Sequence, residues 1–243
     1  VVPTTDRGAI TELLSLTRFV DLCIPRGGES LIRAVTECSH VPVIKHYKGV
    51  CHVYIDADAD AAMAEEIVFN SKVHRPGVCN AAETLLVDAS VANDVLPRLA
   101  KRLGKANVEL RGDKPTQALL EGSGVEITPA SDADWEEEYL DLVLSVKIVD
   151  GVGEAIEHIN MHGSGHTETI VTGDSAAARR FQTEVDSSTI FWNASTRFSD
   201  GMEFGMGAEI GISTDKIGAR GPMGLEELTS YKWLGVADGL IRK

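Results

Sequence analysis

The sequence lacks the features that mark several classes of protein. Among its 243 residues, no apolar run approaches the ~20 residues of a membrane helix, and no charged-then-apolar signal segment opens the chain. Basic residues are outnumbered, and the formal charge of −14 argues against a surface that binds nucleic acid. We therefore expect a cytoplasmic protein with no membrane partner and no nucleic-acid partner.

The four cysteines, Cys23, Cys38, Cys51 and Cys79, lack both CxxC pairing and zinc-like spacing with histidine. We interpret them as reduced thiols. His162 and His166 lie close together with Glu168 and are candidate metal ligands, but glycines surround them. A flexible loop that offers hydrogen-bond donors fits this pattern better, and we expect no metal site.

Internal repeats and low-complexity tracts are also missing, and the chain does not begin with Met, so we expect part of a longer protein. With 43% hydrophobic and 25% charged residues, the composition is that of an ordinary globular protein. Its length suits one large domain or two smaller ones.

Short apolar segments alternate with helical segments along most of the chain, which is typical of an open, mostly parallel α/β sheet. The predicted strands are 19–24, 41–44, 50–55, 84–87, 108–110, 125–127, 142–149, 169–172, 189–193 and 231–236. The predicted helices are 29–38, 58–73, 91–103, 114–120, 153–160 and 174–184, with a short one after 226. A terminal strand at 231–236 would be an exposed edge unless a partner subunit paired with it, so we expect a homo-oligomer.

Cys79 lies in a loop between a predicted helix and a predicted strand. Pro76 and Gly77 end the helix and force a turn, because proline lacks an N–H and glycine tolerates unusual φ. A thiolate in such a loop is a candidate nucleophile. The alternative is a small buried side chain, as most free cysteines are.

Two further loops are candidates for binding. Arg26, Gly27 and Gly28 join a predicted strand to a helix N-terminus, where free N–H groups favour an anion, although a plain turn explains them equally well. Asn193 and Arg197 lie at the end of another predicted strand, where α/β sheets bind ligands.

Five separated segments together resemble one known family. They are residues 25–32 (PRGGESLI), 49–56 (GVCHVYID), 76–87 (PGVCNAAETLLV), 162–168 (HGSGHTE) and 186–201, which ends in NASTRFSDG. The sequence resembles the gamma-glutamyl phosphate reductase family of the aldehyde dehydrogenase superfamily, also called glutamate-5-semialdehyde dehydrogenases. The resemblance runs along the whole chain and suggests the C-terminal part of such a protein.

The resemblance implies an aldehyde dehydrogenase-like α/β fold with open, mostly parallel sheets and helices on both faces. Residues 1–70 would form the second part of the NADP-binding domain. Residues 71–205 would be the catalytic domain, and residues 206–243 a return segment with an oligomerisation strand.

It also implies a reaction. The family reduces L-glutamate 5-phosphate to L-glutamate 5-semialdehyde and phosphate with NADPH, in the second step of proline biosynthesis. The Cys79 thiolate would attack the acyl carbon and release phosphate, and hydride from NADPH would reduce the resulting thioester. A glutamate kinase that passes on the labile acyl phosphate is a candidate partner.

Site residues follow from the same resemblance. Cys79 would be the nucleophile. The residues expected near the cofactor are Arg26, Gly27, Gly28, Ser30 and Glu138. Those expected to hold the glutamyl end are His166, Asn193, Arg197 and Phe198. For Asn193 and Phe198, a purely structural role in the loop is an equal alternative.

One departure from the wider superfamily favours a reductase. Hydrolytic members carry a Glu-Leu-Gly-Gly stretch whose carboxylate activates water, and here residues 46–49 (HYKG) replace it. Two alternatives stay open. One is another non-hydrolysing enzyme that uses coenzyme A as the acyl acceptor. The other is a catalytically silent fragment that acts only in assembly.

Overall fold

The computed structural model describes residues 1–242 and contains seven α-helices and nine strands there. The helices are α1 (Gly8–Ser15), α2 (Glu29–Cys38), α3 (Ala61–Val73), α4 (Ala89–Lys105), α5 (Lys114–Leu120), α6 (Gly151–His162) and α7 (Ser175–Glu184). The strands are β1 (Cys51–Ile55), β2 (Ala82–Asp88), β3 (Glu109–Gly112), β4 (Ile127–Pro129), β5 (Val143–Val149), β6 (Thr167–Val171), β7 (Thr189–Trp192), β8 (Gly211–Ser213) and β9 (Gly221–Met223). No helix within residues 1–242 is long and apolar enough to cross a membrane.

Aspartates begin four of the helices for a local reason. The Asp60, Asp88, Asp113 and Asp174 carboxylates each accept a hydrogen bond from a backbone N–H in the first turn of α3, α4, α5 and α7. An aspartate at this position satisfies an N–H that the helix cannot. These caps set where the helices begin and therefore where the preceding loops end.

Seven strands form one sheet in the order β4-β3-β5-β2-β1-β6-β7, and every adjacent pair is parallel. Strand β1 lies next to the central strand β2 and pairs with β2 on one side and β6 on the other. Strands β8 and β9 form a separate antiparallel pair.

Side chains of the central strands alternate between two cores. Val53 and Ile55 of β1 pack with α3 and α4 in one cluster, whereas Tyr54 packs with α6 and α7 in another. This alternation follows from the two-residue period of a strand. The sheet is therefore covered by helices on both faces, which confirms the predicted α/β fold.

Two regions differ from the predicted strands. Residues 19–24 and 41–44 form no strand but meet at a single parallel bridge between Cys23 and Val43. Residues 231–236 have no strand partner among the described residues, and Tyr231, Trp233 and Val236 are exposed. Apolar residues alone do not make a strand, because each strand needs a neighbour to accept and donate its hydrogen bonds.

The predicted domain boundary at residue 70 lies inside α3, and β1 is already part of the large sheet. The division into residues 1–70, 71–205 and 206–243 stays a prediction.

Candidate active site

Cys79 lies in a tight loop between α3 and β2. The helix ends at Val73, and the N–H of Ala81 donates to the carbonyl of Val78 at 3.0 Å, which closes the turn around Cys79. The Cys79 side chain is half-buried. The loop therefore presents the thiol at the edge of the sheet instead of burying it in the core.

Gly49 brings a second loop against Cys79. A Cβ atom at Gly49 would lie 2.0 Å from the carbonyl oxygen of Cys79, so no other residue fits there without moving the backbone. The N–H of Gly49 donates to Oε1 of Glu138 at 2.9 Å. The close approach of two backbones sets the position of the thiol loop.

The site is at the amino edge of the sheet. Gly49 precedes β1, Cys79 precedes β2 and His166 precedes β6, and these three parallel strands are neighbours. The sequence predicts Asn193 and Arg197 at the opposite, carboxyl edge, where α/β sheets commonly bind ligands. Parallel pairing places the thiol and the carboxyl end of β7 on opposite edges, but the segment after β7 returns to the thiol loop, where Nδ2 of Asn80 donates to the carbonyl of Ser199 and Arg197 lines the same cavity as Cys79.

A cavity of about 410 Å³ opens in front of Cys79. Three arginines line it, Arg26, Arg75 and Arg197, and so do the carboxylates of Asp200 and Glu209. A cavity with clustered guanidinium groups suits an anionic ligand in a protein whose overall charge is negative.

The guanidinium group of Arg197 has an unused hydrogen-bond donor. Its Nε atom is buried and has no hydrogen-bond partner. Burial lowers the pKa of the Arg197 guanidinium, and the nearby Arg75 acts in the same direction. An unpartnered buried N–H is costly, and a carboxylate or phosphate oxygen in the cavity would satisfy it.

Two imidazoles stand beside the thiol. His46, Cys79 and His166 each offer one donor atom, and these atoms all lie within 4.8 Å of one another. The two rings meet edge to face, with centroids 5.7 Å apart. Burial lowers the pKa of His46, and burial together with His46 lowers the pKa of His166 to about 3. Both rings are therefore neutral near pH 7.

The Cys79 thiol is protonated in this resting arrangement. Burial is the main cause of a raised pKa, the carboxylates of Glu138 and Glu209 act in the same direction, and the resulting pKa is about 11. The thiol needs a proton acceptor to become a nucleophile, and the neutral imidazole of His46 is the neighbour that can serve, because the pKa of His166 is too low for its ring to hold the proton.

Comparisons with known proteins show which proteins the chain is similar to. No protein-family model matches the chain. The gamma-glutamyl phosphate reductase of Opitutus terrae is 56% identical over 243 residues, which is 100% of this chain and 57% of that protein. The protein of the same name from Thermodesulfovibrio yellowstonii is 55% identical over 239 residues, or 98% of this chain and 56% of that protein. The crystal structure of gamma-glutamyl phosphate reductase from Thermotoga maritima superimposes with a TM-score of 0.95 at 43% identity, over 99% of this chain and 57% of that one.

Along its whole length the chain is homologous to gamma-glutamyl phosphate reductases. It spans about 57% of the length of the curated relatives.

More distant structures share the fold. An acetylating aldehyde dehydrogenase from Geobacillus thermoglucosidasius superimposes with a TM-score of 0.72 at 21% identity, over 98% of this chain and 61% of that one. An NADP-dependent glyceraldehyde-3-phosphate dehydrogenase from Bacillus halodurans, complexed with NADP, superimposes with a TM-score of 0.62 at 19% identity, over 79% of this chain and 48% of that one. Such identities establish the aldehyde dehydrogenase-like fold and nothing further.

The structure brings some of the predicted site residues of this reductase homologue together. Arg26, Gly27, Cys79 and Arg197 line one cavity, and a donor atom of His166 lies within 4.8 Å of that of Cys79. Arg197 also lines a neighbouring cavity of about 400 Å³, and the remaining two substrate candidates line only that one: Asn193 and Phe198.

The other candidates lie outside the cavity. Gly28 is the N-cap of α2 and Ser30 is exposed in its first turn, while Glu138 accepts the hydrogen bond from Gly49. Asn193 uses its amide on Thr172, accepting from the backbone N–H at 2.9 Å and donating to the carbonyl at 3.0 Å. The roles predicted for these residues stay predictions.

Two residues of the site escaped the sequence argument. Arg75 lines the cavity, and its position four residues before Cys79 in the same loop was a usable signal. His46 was interpreted only as the absence of a carboxylate base. Nothing in the local sequence shows that its ring lies beside the thiol.

Proposed function

We propose that this chain is part of an enzyme that reduces L-glutamate 5-phosphate to L-glutamate 5-semialdehyde and phosphate with NADPH, the second step of proline biosynthesis. The observation that carries this proposal is a thiol next to two neutral imidazoles and three arginines, in a chain 54–56% identical to proteins of that name.

The charges of the cavity complement both ends of this substrate. L-glutamate 5-phosphate carries an acyl phosphate and an α-carboxylate, and the guanidinium groups of Arg26, Arg75 and Arg197 match these two anions. The substrate also carries an α-ammonium group, for which Asp200 and Glu209 provide negative charge. We assign Arg197 to an anionic group because its buried Nε lacks a partner.

Cys79 acts as the nucleophile in this proposal. The thiol proton passes to the imidazole of His46, and Sγ forms a bond to the acyl carbon. The bond between that carbon and the phosphate oxygen breaks, and inorganic phosphate leaves with the electron pair. A thioester on Cys79 remains, and its reduction yields the aldehyde.

The N-terminus of α2 fits a nicotinamide dinucleotide. Gly28 caps this helix without a side-chain hydrogen bond, so the first N–H groups stay free for a phosphate, and Arg26 and Gly27 adjoin them. Ser30 lies in the same exposed turn. The cofactor supplies the hydride for the reduction of the thioester. We keep Glu138 as a candidate contact of the cofactor, and His166, Asn193 and Phe198 as candidate contacts of the substrate.

The preference for NADPH draws support from the glyceraldehyde-3-phosphate dehydrogenase of the same fold, whose crystal structure contains NADP. A coenzyme A-dependent reaction has weaker support, because the acetylating relative shares only 21% of its sequence with this chain.

Three further features belong to this proposal. Exposed apolar side chains at Tyr231, Trp233 and Val236 support assembly of the chain into a homo-oligomer. Four free cysteines fit a reducing cytoplasm. A glutamate kinase that hands over the labile acyl phosphate remains a proposed partner, to be tested by direct binding.

The reverse reaction tests the proposal in the protein expressed from its complete gene. We would supply L-glutamate 5-semialdehyde and NADP⁺, and follow NADPH formation with phosphate, with coenzyme A or with neither. We expect phosphate-dependent NADPH that disappears in Cys79→Ser and persists in Cys38→Ser, a matched variant whose thiol lies outside the cavity. Equal NADPH formation without phosphate would make water the acceptor, and dependence on coenzyme A would establish the alternative.

A further inference from the structure

The cluster of His46, Cys79 and His166 has the composition of a metal site. One thiol and two imidazoles, with donor atoms within 4.8 Å of one another, form the ligand set that Zn²⁺ and other thiophilic cations prefer. The three residues come from three loops at the amino edge of the sheet, where the backbone of Gly49 packs closely against that of Cys79.

His166 points to a ligand independently of that clustering. Its side chain is fully buried, and its Nε2 atom has no hydrogen-bond partner. Its Nδ1 atom lies 2.9 Å from Oγ1 of Thr167 and 3.5 Å from Sγ of Cys51. Histidines that bind metals commonly use one nitrogen for a second partner that orients the ring and leave the other for the ion.

The surrounding charges allow a cation to bind. Glu209 lines the same cavity as Cys79 and His46, and its negative charge attracts a cation. Arg26, Arg75 and Arg197 act in the opposite direction, so an anion in the cavity would assist metal binding.

We propose that His46, Cys79 and His166 form an inhibitory site for a thiophilic divalent cation such as Zn²⁺, which captures the candidate nucleophile in the resting protein. Sγ of Cys79 loses its proton to solvent and binds the ion together with one nitrogen of each histidine, and the fourth position faces the cavity. Because the ion displaces a thiol proton, its affinity rises with pH. Capture of the thiol blocks attack on any acyl group.

Metal binding is measured without relying on turnover. The protein expressed from its complete gene is stripped with a chelator and titrated with Co²⁺, whose thiolate complexes absorb in the near ultraviolet. Zn²⁺ affinity follows from competition with a chromophoric chelator. We expect a thiolate-to-cobalt absorption band that is absent in Cys79→Ser and unchanged in Cys38→Ser. We expect the Zn²⁺ affinity of His46→Gln to be weaker than that of the wild type by about tenfold or more.

Alkylation provides a second readout in the unmodified protein. We expect equimolar Zn²⁺ to slow the reaction of iodoacetamide with Cys79 about tenfold or more, and not to slow the reaction of Cys38. A cobalt band that persists in Cys79→Ser, wild-type affinity in a folded His46→Gln, or undiminished alkylation of Cys79 would overturn the proposal. If Zn²⁺ binds as expected but no reductase activity is found, the metal site stands and the proposed function fails.

Discussion

The buried pair of Lys72 and Glu83 supports a sharp prediction about stability. Nζ of Lys72 lies 2.6 Å from Oε2 of Glu83, and both side chains are fully buried. Burial raises the pKa of Glu83 from 4.5 to about 7 in spite of Lys72, which corresponds to about 3 kcal/mol. Lys72→Met leaves the carboxyl without its cation, and we expect the free energy of unfolding at pH 8 to fall by about 3–5 kcal/mol.

The pH dependence identifies the cause. When the pKa of a carboxyl is raised in the folded state, the protein loses stability as the pH rises from the pKa of that carboxyl in the unfolded state to its pKa in the folded state. Above the folded-state pKa the loss stops. In the wild type, the loss of stability caused by Glu83 therefore stops near pH 7. In Lys72→Met the pKa of Glu83 rises further, so the deficit of the variant grows between pH 7 and 8 by as much as about 1.4 kcal/mol.

Urea unfolding at pH 6, 7 and 8, followed by tryptophan fluorescence and circular dichroism, measures these changes. The double variant Lys72→Met/Glu83→Gln removes both charges and keeps an acceptor for the N–H of Leu140, so we expect it to recover most of the loss. A Lys72→Met deficit under about 1 kcal/mol at pH 8 that does not vary with pH would refute the reasoning, because exposed pairs behave in that way.

Three further predictions concern the loop of the candidate active site and the acid stability of the fold. Gly49→Ala places a Cβ atom 2.0 Å from the carbonyl oxygen of Cys79, so we expect the thiol loop to shift and kcat to drop about 100-fold. Gly104→Ala is the matched control, since its Cβ atom meets nothing within 4 Å and alanine should stabilise α4 by about 1 kcal/mol; equal activities in the two variants would contradict the steric argument. The rate at which iodoacetamide alkylates Cys79 in the ligand-free protein should rise with pH towards a pKa of about 11, and an inflection below pH 9 would show that the thiol is not held protonated. Burial, assisted by the nearby His52, lowers the pKa of His158 to about 2, so the folded protein takes up fewer protons than the unfolded one below pH 6.5 and loses stability as pH falls. His158→Phe should flatten that slope between pH 6.5 and 4 by up to about 1.4 kcal/mol per pH unit, as measured by urea unfolding, and an unchanged slope would exclude His158 as its source.

The regular elements of the large sheet were predictable from local sequence. Helices α2 and α5 begin and end at the predicted residues, and most other boundaries differ by a few positions. Aspartate caps and the periodicity of apolar residues carry that information. Residues 19–24 and 41–44 were predicted as strands because they are apolar, but pairing depends on a neighbour that local sequence does not specify.

The site was predictable only in part. A motif in one loop was enough to identify Cys79 as a candidate. Arg26 and Arg197, which were also predicted site residues, line the same cavity as Cys79. His46 and Arg75 were not assigned to the site, although both lie there. Local sequence can identify a candidate residue, but it does not show which residues from distant parts of the chain lie next to that residue in the fold.

By itself the sequence determined the alternation of strands and helices, the capped helix starts and the loop that carries Cys79. These features depend on residues close together in the chain. The tertiary structure alone decided that the site lies at the amino edge, that His46 and His166 stand beside the thiol, and that the Cys79 pKa rises to about 11. Parallel pairing of β1 with β2 and β6 brings together loops distant in sequence, and burial among them sets the protonation of the thiol.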